Sequence, residues 1–332
     1  MGCNIAAHLV GRKEEVVVFD NLSRTGASVN LEWLNTLGRL QFVHGDISSP
    51  FAISGVIQQL QPDVIFHLAG QVAMTTSMQS PRRDFEINVL GTINLLEAVR
   101  LYAPGARVVY ASSNKVYGDL PLGLQEHATR YSASAFPEGI DETAPLSFHT
   151  PYGCSKGAAD QYMLDYARGF GLKTVVFRHS TIYGGRQFST FDQGWVGWFC
   201  RQAIEIQHDP NRAPFTISGD GKQVRDLLHV SDAIRCYLAA ADHMDRAAGM
   251  AFNIGGGIEN SMSLVELFAH LEKRLGISMT HQRLPWRHSD QKFFVANNRK
   301  ASELLQWKPL TSREQGIEET LAWELSRRQA AR

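Results

Sequence analysis

An excess of charge of either sign is missing from this chain. Its 33 Lys and Arg residues balance 33 Asp and Glu, for a formal net charge of zero. A nucleic-acid partner is therefore not expected, since binding phosphates requires a basic surplus. The Arg327, Arg328 and Arg332 tail reads as a solvated helix end. Cysteine is scarce: Cys3, Cys154, Cys200 and Cys236 stand far apart, without a Cys-x-x-Cys pair or zinc spacing. Twelve histidines form no His-Glu-x-x-His, so no metal is expected, and a reduced, cytoplasmic protein is the default. Long hydrophobic runs are absent too. Stretches such as Val16–Phe19 are far too short to span a bilayer, so no membrane partner is expected. No charged-then-apolar leader opens the chain, and Ala6 stands where a myristoylation start wants Ser or Thr.

What is present is an ordinary globular mixture, 44% hydrophobic and 20% charged, over 332 residues. That length suggests about two domains. Short β-branched runs at 15–20, 40–44, 63–68, 107–112 and 173–178 alternate with stretches of helical spacing at 30–37, 51–60, 84–101 and 152–170. Near-continuous apolar strands between amphipathic helices predict a doubly wound α/β fold, with a parallel sheet covered on both faces. Beyond Tyr183-Gly184-Gly185 the alternation becomes irregular, which predicts a smaller second α/β unit interleaved with the first.

The strongest chemical signal is Tyr152-Gly153-Cys154-Ser155-Lys156 at the start of a predicted helix. Four-residue spacing puts Tyr152 and Lys156 on one face. A phenol is a weak base at neutral pH, and a nearby ammonium favours its ionised form. Alone, the pair is more often two surface residues. Ser113 sharpens it, because it follows the strand 107–112 at the carboxyl end, where open α/β sheets bind ligands. Asp20, ending another strand, can accept hydrogen bonds from adenosine ribose hydroxyls and would repel a 2′-phosphate. This favours NAD, although Arg24 leaves NADP open.

Other features carry less. Gly221-Lys222 lacks the first Gly and the Ser/Thr of a phosphate-binding loop. Trp195 and Trp198 could stack on a base or equally fill core. A dinucleotide fold also normally opens with a strand and a Gly-rich turn. Here Gly2 reads as the third glycine of such a turn, opening the helix 2–9, with no strand before it. The expectation is a chain short by roughly one strand and one turn.

Asp20, Ser113, Tyr152-x-x-x-Lys156, Asn88-Val89-x-Gly91-Thr92 and Arg178-x-x-x-x-Tyr183-Gly184 together resemble the extended short-chain dehydrogenases/reductases that act on nucleotide sugars. The likeness runs from Gly2 to about Trp323. The longer strings 19–24, 67–77, 114–119 and 193–199 are similar to the branch that epimerises CDP-sugars at C2.

The resemblance implies a Rossmann domain for NAD at 1–184 and 226–256, and a nucleotide-sugar domain at 185–225 and 257–332. For the cofactor it implies Gly2, Asp20, Asn21, Ser23, Arg24, Asp46, Ile47, Leu68, Ala69, Gln71, Tyr152, Lys156 and His179. For the substrate it implies Gln193, Lys222, Gln223, Arg225, Arg287 and Asp290, and for catalysis Ser113, Tyr152 and Lys156. A homo-oligomer, dimer or tetramer, is also implied. Related 4,6-dehydratases carry Asp-Glu after the active-site hydroxyl for water elimination. Asn114-Lys115 stands there instead, which favours epimerisation. A UDP- or dTDP-hexose 4-epimerase and a catalytically silent NAD-binding module remain as alternatives.

Overall fold

The computed structural model describes residues 1–330, so Arg332 lies outside the described residues. Strands Val64–His67, Arg107–Ser113, Lys173–His179 and Met250–Ile254 form one parallel sheet, with Arg107–Ser113 and Lys173–His179 in the centre. Val17–Asp20 pairs in parallel with Gln41–His44, but these two form a separate ribbon. Among the described residues no strand joins the ribbon to Val64–His67. The ribbon and the four-stranded sheet are thus separate, and Val17 is 39% exposed.

Two apolar cores cover the faces of the four-stranded sheet. One gathers Val109, Val175, Phe177 and Phe252 with Tyr237 from the helix Val230–Asp242. Ala301, Leu305 and Trp307 close it from far along the chain, so the sequence interval 257–332 contributes to this core as well. The other joins Val108, Tyr110 and Val176 to Ala159 and Met163 of the helix Thr150–Phe170. That helix starts with Pro151 in its first turn, where a missing N–H costs nothing. It stops at Gly171, whose φ of 69° suits a residue without Cβ.

The second unit centres on Val224–His229, which pairs with Thr181–Tyr183, Ser261–Ser263 and Phe293–Phe294. Helices Trp195–His208, Leu264–Leu275 and Arg313–Ala330 pack behind it. Ser263 and Glu266 form a reciprocal capping box on the second of these. At the chain's end Arg327 is paired with Glu324 (2.7 Å). No helix of the described residues is long and apolar enough to cross a membrane.

One element differs from its expected form. The single helix predicted over 84–101 is three pieces: Pro81–Phe85, a π-turn Glu86–Leu90, and Gly91–Tyr102. The Gly91 amide reaches the Glu86 carbonyl, and Thr92 Oγ1 donates to the Asn88 carbonyl (2.6 Å). Asp84 and Asn88 are buried polar residues that need partners, and the wider turn lets both find them.

Beneath the carboxyl end of the sheet lies a buried ion pair. Arg178 Nε and Nη2 donate to the two oxygens of Asp160, each at 2.9 Å, with the side chains 5% and 0% exposed. Ser112 Oγ donates to Asp160 (2.8 Å) and Arg178 Nη1 to the Tyr117 hydroxyl (3.0 Å). Asp160→Asn leaves a buried guanidinium without its counter-charge, and the expected loss of stability is about 3–5 kcal/mol. Urea unfolding of both proteins measures it. A loss below about 1 kcal/mol would show that the pair does not hold the fold.

Candidate active site

Ser113 ends its strand directly opposite His179 in the neighbouring one, at the carboxyl edge of the sheet. Tyr152 and Lys156 approach from the first turns of the helix Thr150–Phe170, 9% and 3% exposed. Just before them Thr150 holds a φ of 62°, an unusual conformation for a β-branched residue. Its hydroxyl accepts from the Gly153 amide (3.3 Å), helping to fix how the chain enters the helix.

Burial pushes the Tyr152 phenol up to about 12, the Ser113 hydroxyl pulls it down by hydrogen bonding, and the Asp84 charge raises it. Burial likewise pushes the Lys156 ammonium down to about 8, opposed by Asp84. Lys156 Nζ donates to the Ala111 carbonyl (2.9 Å) and lies 5.0 Å from the Tyr110 ring centre.

Behind the lysine sits a polar network that sequence reasoning missed. The Asp84 carboxylate accepts from Ser155 Oγ, from Gln71 Nε2 (2.8 Å) and from Asn88 Nδ2 (3.3 Å). Burial nevertheless raises its pKa. Ser155 lies within the Tyr-x-x-x-Lys string. Asp84 offered little local signal, because two of its three partners lie 13 and 71 residues away.

The residues expected at a cofactor fall into two groups. Asp20 is exposed at its strand end, where Oδ1 accepts from the Leu22 amide (2.7 Å). Asn21 donates to Asp46 (2.8 Å), and the Ser23 amide donates to Asn21 (3.1 Å). Burial opposes the Asp46 charge, but bonds from Ser48 and Asn21 hold its carboxyl below the usual range. At Gly70 a Cβ would lie 2.9 Å from Asn88 Oδ1 and 3.0 Å from Lys156 Nζ. Bare backbone next to the lysine, with an exposed carboxylate at Asp20, fits a dinucleotide running between them. Gly2 opens the helix Gly2–Gly11, and a Cβ there would meet only Leu68 at 3.7 Å.

The other expected cofactor residues are engaged within the protein. Ile47 belongs to the core, with its carbonyl accepting from Asn94 (3.2 Å). Leu68 and Ala69 pack at the margins of the two cores. Gln71 is spent on Asp84 and on the Ala73 backbone. The two ring nitrogens of His179 meet the Ser112 carbonyl (3.1 Å) and the Tyr237 hydroxyl (2.8 Å).

On the substrate side, Arg24 donates to Gln193, so a residue expected at the cofactor meets one expected at the substrate. Arg225 Nη2 donates to Asp290 (3.1 Å), and Arg287 holds Ser218 Oγ and the Phe191 carbonyl, each at 3.2 Å. Lys222 is drawn off to Glu126 (2.7 Å) and Gln223 to the Ser218 carbonyl (3.2 Å). No cluster of three or more His, Cys, Asp or Glu suited to a metal occurs among the described residues.

Residues 1–255 match the family described as NAD dependent epimerase/dehydratase. The chain is 54% identical to CDP-paratose 2-epimerase of Salmonella typhi, over 98% of this chain and 96% of that protein. Among solved structures it resembles the Thermus thermophilus UDP-glucose 4-epimerase in complex with NAD. The TM-score is 0.81 at 27% identity, covering 98% of this chain and 95% of that one. UDP-glucuronic acid 4-epimerase from Bacillus cereus, in complex with UDP-glucuronic acid and NAD, gives 0.82 at 26%, covering 98% and 96%. The parallel α/β sheet agrees with these likenesses, and the chain belongs to the NAD dependent epimerase/dehydratase family.

Proposed function

We propose that this chain is a CDP-paratose 2-epimerase that inverts C2 to give CDP-tyvelose. The observation carrying that reading is the near full-length 54% identity to a protein of that name. Asn114-Lys115 after Ser113 supports it, since neither residue supplies the carboxyl groups that water elimination needs. Paratose is a 3,6-dideoxy sugar, so C3 is a methylene. A ketone at C4 would acidify C3 and leave C2 inert, whereas direct oxidation at C2 makes inversion possible. NAD, when bound, would supply reversible hydride acceptance at C2.

The chain's own residues do the remaining work. Asp20 and Asp46 suit the adenosine end, and Lys156 suits the nicotinamide ribose. Ser113 orients the C2 oxygen, and Tyr152 takes its proton and later gives it back. A phenol near 12 holds its proton at neutral pH, and movement of Lys156 from the Ala111 carbonyl towards Tyr152 on ligand binding would favour its ionised form. Arg225 and Arg287 offer paired donors to phosphate oxygens. A cytoplasmic homo-oligomer, dimer or tetramer, completes the reading, with exposed Leu101, Tyr162 and Phe170 as apolar surface for a second copy.

Two outcomes are expected. Tyr152→Phe should keep the fold and lower turnover of CDP-paratose by about 10²–10⁴-fold. Deuterium placed at C2 should remain at C2 in the product of the unaltered enzyme. Residual activity above about a tenth, or loss of the label to solvent, would remove Tyr152 as the base or the hydride route respectively. Turnover of UDP-hexoses in place of CDP-paratose would instead show a 4-epimerase.

Without cofactor, the near-ultraviolet absorbance of the wild type and Tyr152→Phe should follow the same course from about pH 7 to pH 10. The buried phenol ionises only above that range. A tyrosinate step near neutral pH that disappears in Tyr152→Phe would show that the phenol is already activated.

A further inference from the structure

Lys115 stands two residues beyond Ser113, in the turn Asn114–Tyr117 that Ser113 caps, and its own amide donates to the Ser113 hydroxyl (3.2 Å). The turn is held from both sides. Asn114 Nδ2 donates to Gln291 (2.9 Å), and Gln291 Nε2 donates to the Gly118 carbonyl (2.7 Å). A Cβ at Gly153 would come within 3.1 Å of the Lys115 carbonyl, so the turn lies directly on the helix of Tyr152. The backbone bearing this cation is thereby fixed relative to the reacting hydroxyls.

The ammonium itself is poorly satisfied. Its nearest carboxylate oxygen, Asp290 Oδ1, lies 3.8 Å away, beyond hydrogen-bond reach, and Arg225 already holds that oxygen at 3.1 Å. Burial first, then Arg225 and Arg287, push the Lys115 ammonium down to about 8, against the pull of Asp290 and Asp119. Asp119 is itself exposed and paired with His149. Lys115 and Arg225 therefore share one carboxylate, with the Arg287 charge acting on Lys115 as well, an arrangement that a bound anion would balance.

The chemistry of a sugar diphosphate gives the surplus a purpose. The phosphorus attached to the sugar is three bonds from C2 and five from C4. An enzyme that presents C2 to its catalytic hydroxyls must seat that phosphate beside them, while one that presents C4 must hold it across the ring. Resting on the 2-epimerase reading above, we propose that Lys115 binds the sugar-linked phosphate and thereby selects C2 as the carbon facing Tyr152. The held phosphate is also the pivot about which the oxidised ring turns to offer its other face. Arg225 and Arg287 secure the diphosphate, whereas Lys115, on the turn capped by Ser113, registers it against the reaction.

The test compares CDP with CMP, which lacks the sugar-linked phosphate, by titration calorimetry on the NAD-loaded protein. Lys115→Met should weaken CDP by about tenfold or more, as expected for a charged hydrogen bond, and leave CMP within about twofold. Lys115→Arg should recover most of the CDP affinity. With CDP-glucose, which carries hydroxyls at both carbons, Lys115→Met should raise the ratio of C4 to C2 epimer. Should the Met variant not fold, Lys115→Gln carries the same comparison. Equal weakening of CDP and CMP, an unchanged CDP affinity, or an unchanged epimer ratio would overturn the proposal. Running UDP and UMP in parallel separates the two readings. A preference for uridine nucleotides with the diphosphate contrast intact would sink the CDP-sugar assignment while keeping the phosphate contact of Lys115.

Discussion

The buried pairing of Arg178 with Asp160 is the constraint on which the active site depends. Asp160 lies four residues beyond Lys156 and eight beyond Tyr152, all near one face of the same helix. Fastening Asp160 to a strand residue therefore sets both the rotation and the axial position of the two residues that do the chemistry. Ser112 donates to the same carboxylate, and Ser113, the next residue along the strand, points the other way. One ion pair thus registers the helix bearing the base against the strand bearing the orienting hydroxyl. A pair this deeply buried is a doubtful source of net stability, because desolvation offsets most of its attraction. Its value lies in geometry.

Charge around the site is sorted into two environments. Tyr152, Lys156 and Asp84 are withdrawn from water, so their protonation depends on partners a few ångströms away. Lys115 and Arg225 share Asp290 as their counter-charge, and the Arg287 charge acts on Lys115 too. Asp84 supports the charge of Lys156 and at the same time opposes ionisation of Tyr152.

Much of this was legible in the residues themselves. Strand and helix positions followed from apolar runs and three-four spacing, and Tyr152, Lys156, Ser113 and Asp20 were marked by where they fall in that alternation. The π-turn at Glu86–Leu90 was not, because the widening serves the pairing of Asp84 and Asn88 with residues on other elements. Lys115 could be read only as the absence of an elimination carboxylate. Its positive role depends on Arg225 and Asp290, more than a hundred residues away. His179 shows the converse: a residue well placed at a strand end whose ring is already spent on Ser112 and Tyr237.

The division of the sheet has a mechanical consequence. The ribbon of Val17–Asp20 and Gln41–His44 has no backbone ladder to the strands that carry Ser113. It is joined through side chains: Ile47, Ile53 and Ile57 pack on the helix Gly91–Tyr102, and Asn94 ties the carbonyls of Ile47 and Ser48. Side-chain packing yields more readily than a hydrogen-bonded ladder, and regions with sparse backbone pairing open at lower free energy than the core. The ribbon should therefore open more readily than Arg107–Ser113, so its amides should exchange with solvent sooner. A dinucleotide spanning Asp20 and Lys156 would bridge two bodies, and its binding would couple their opening.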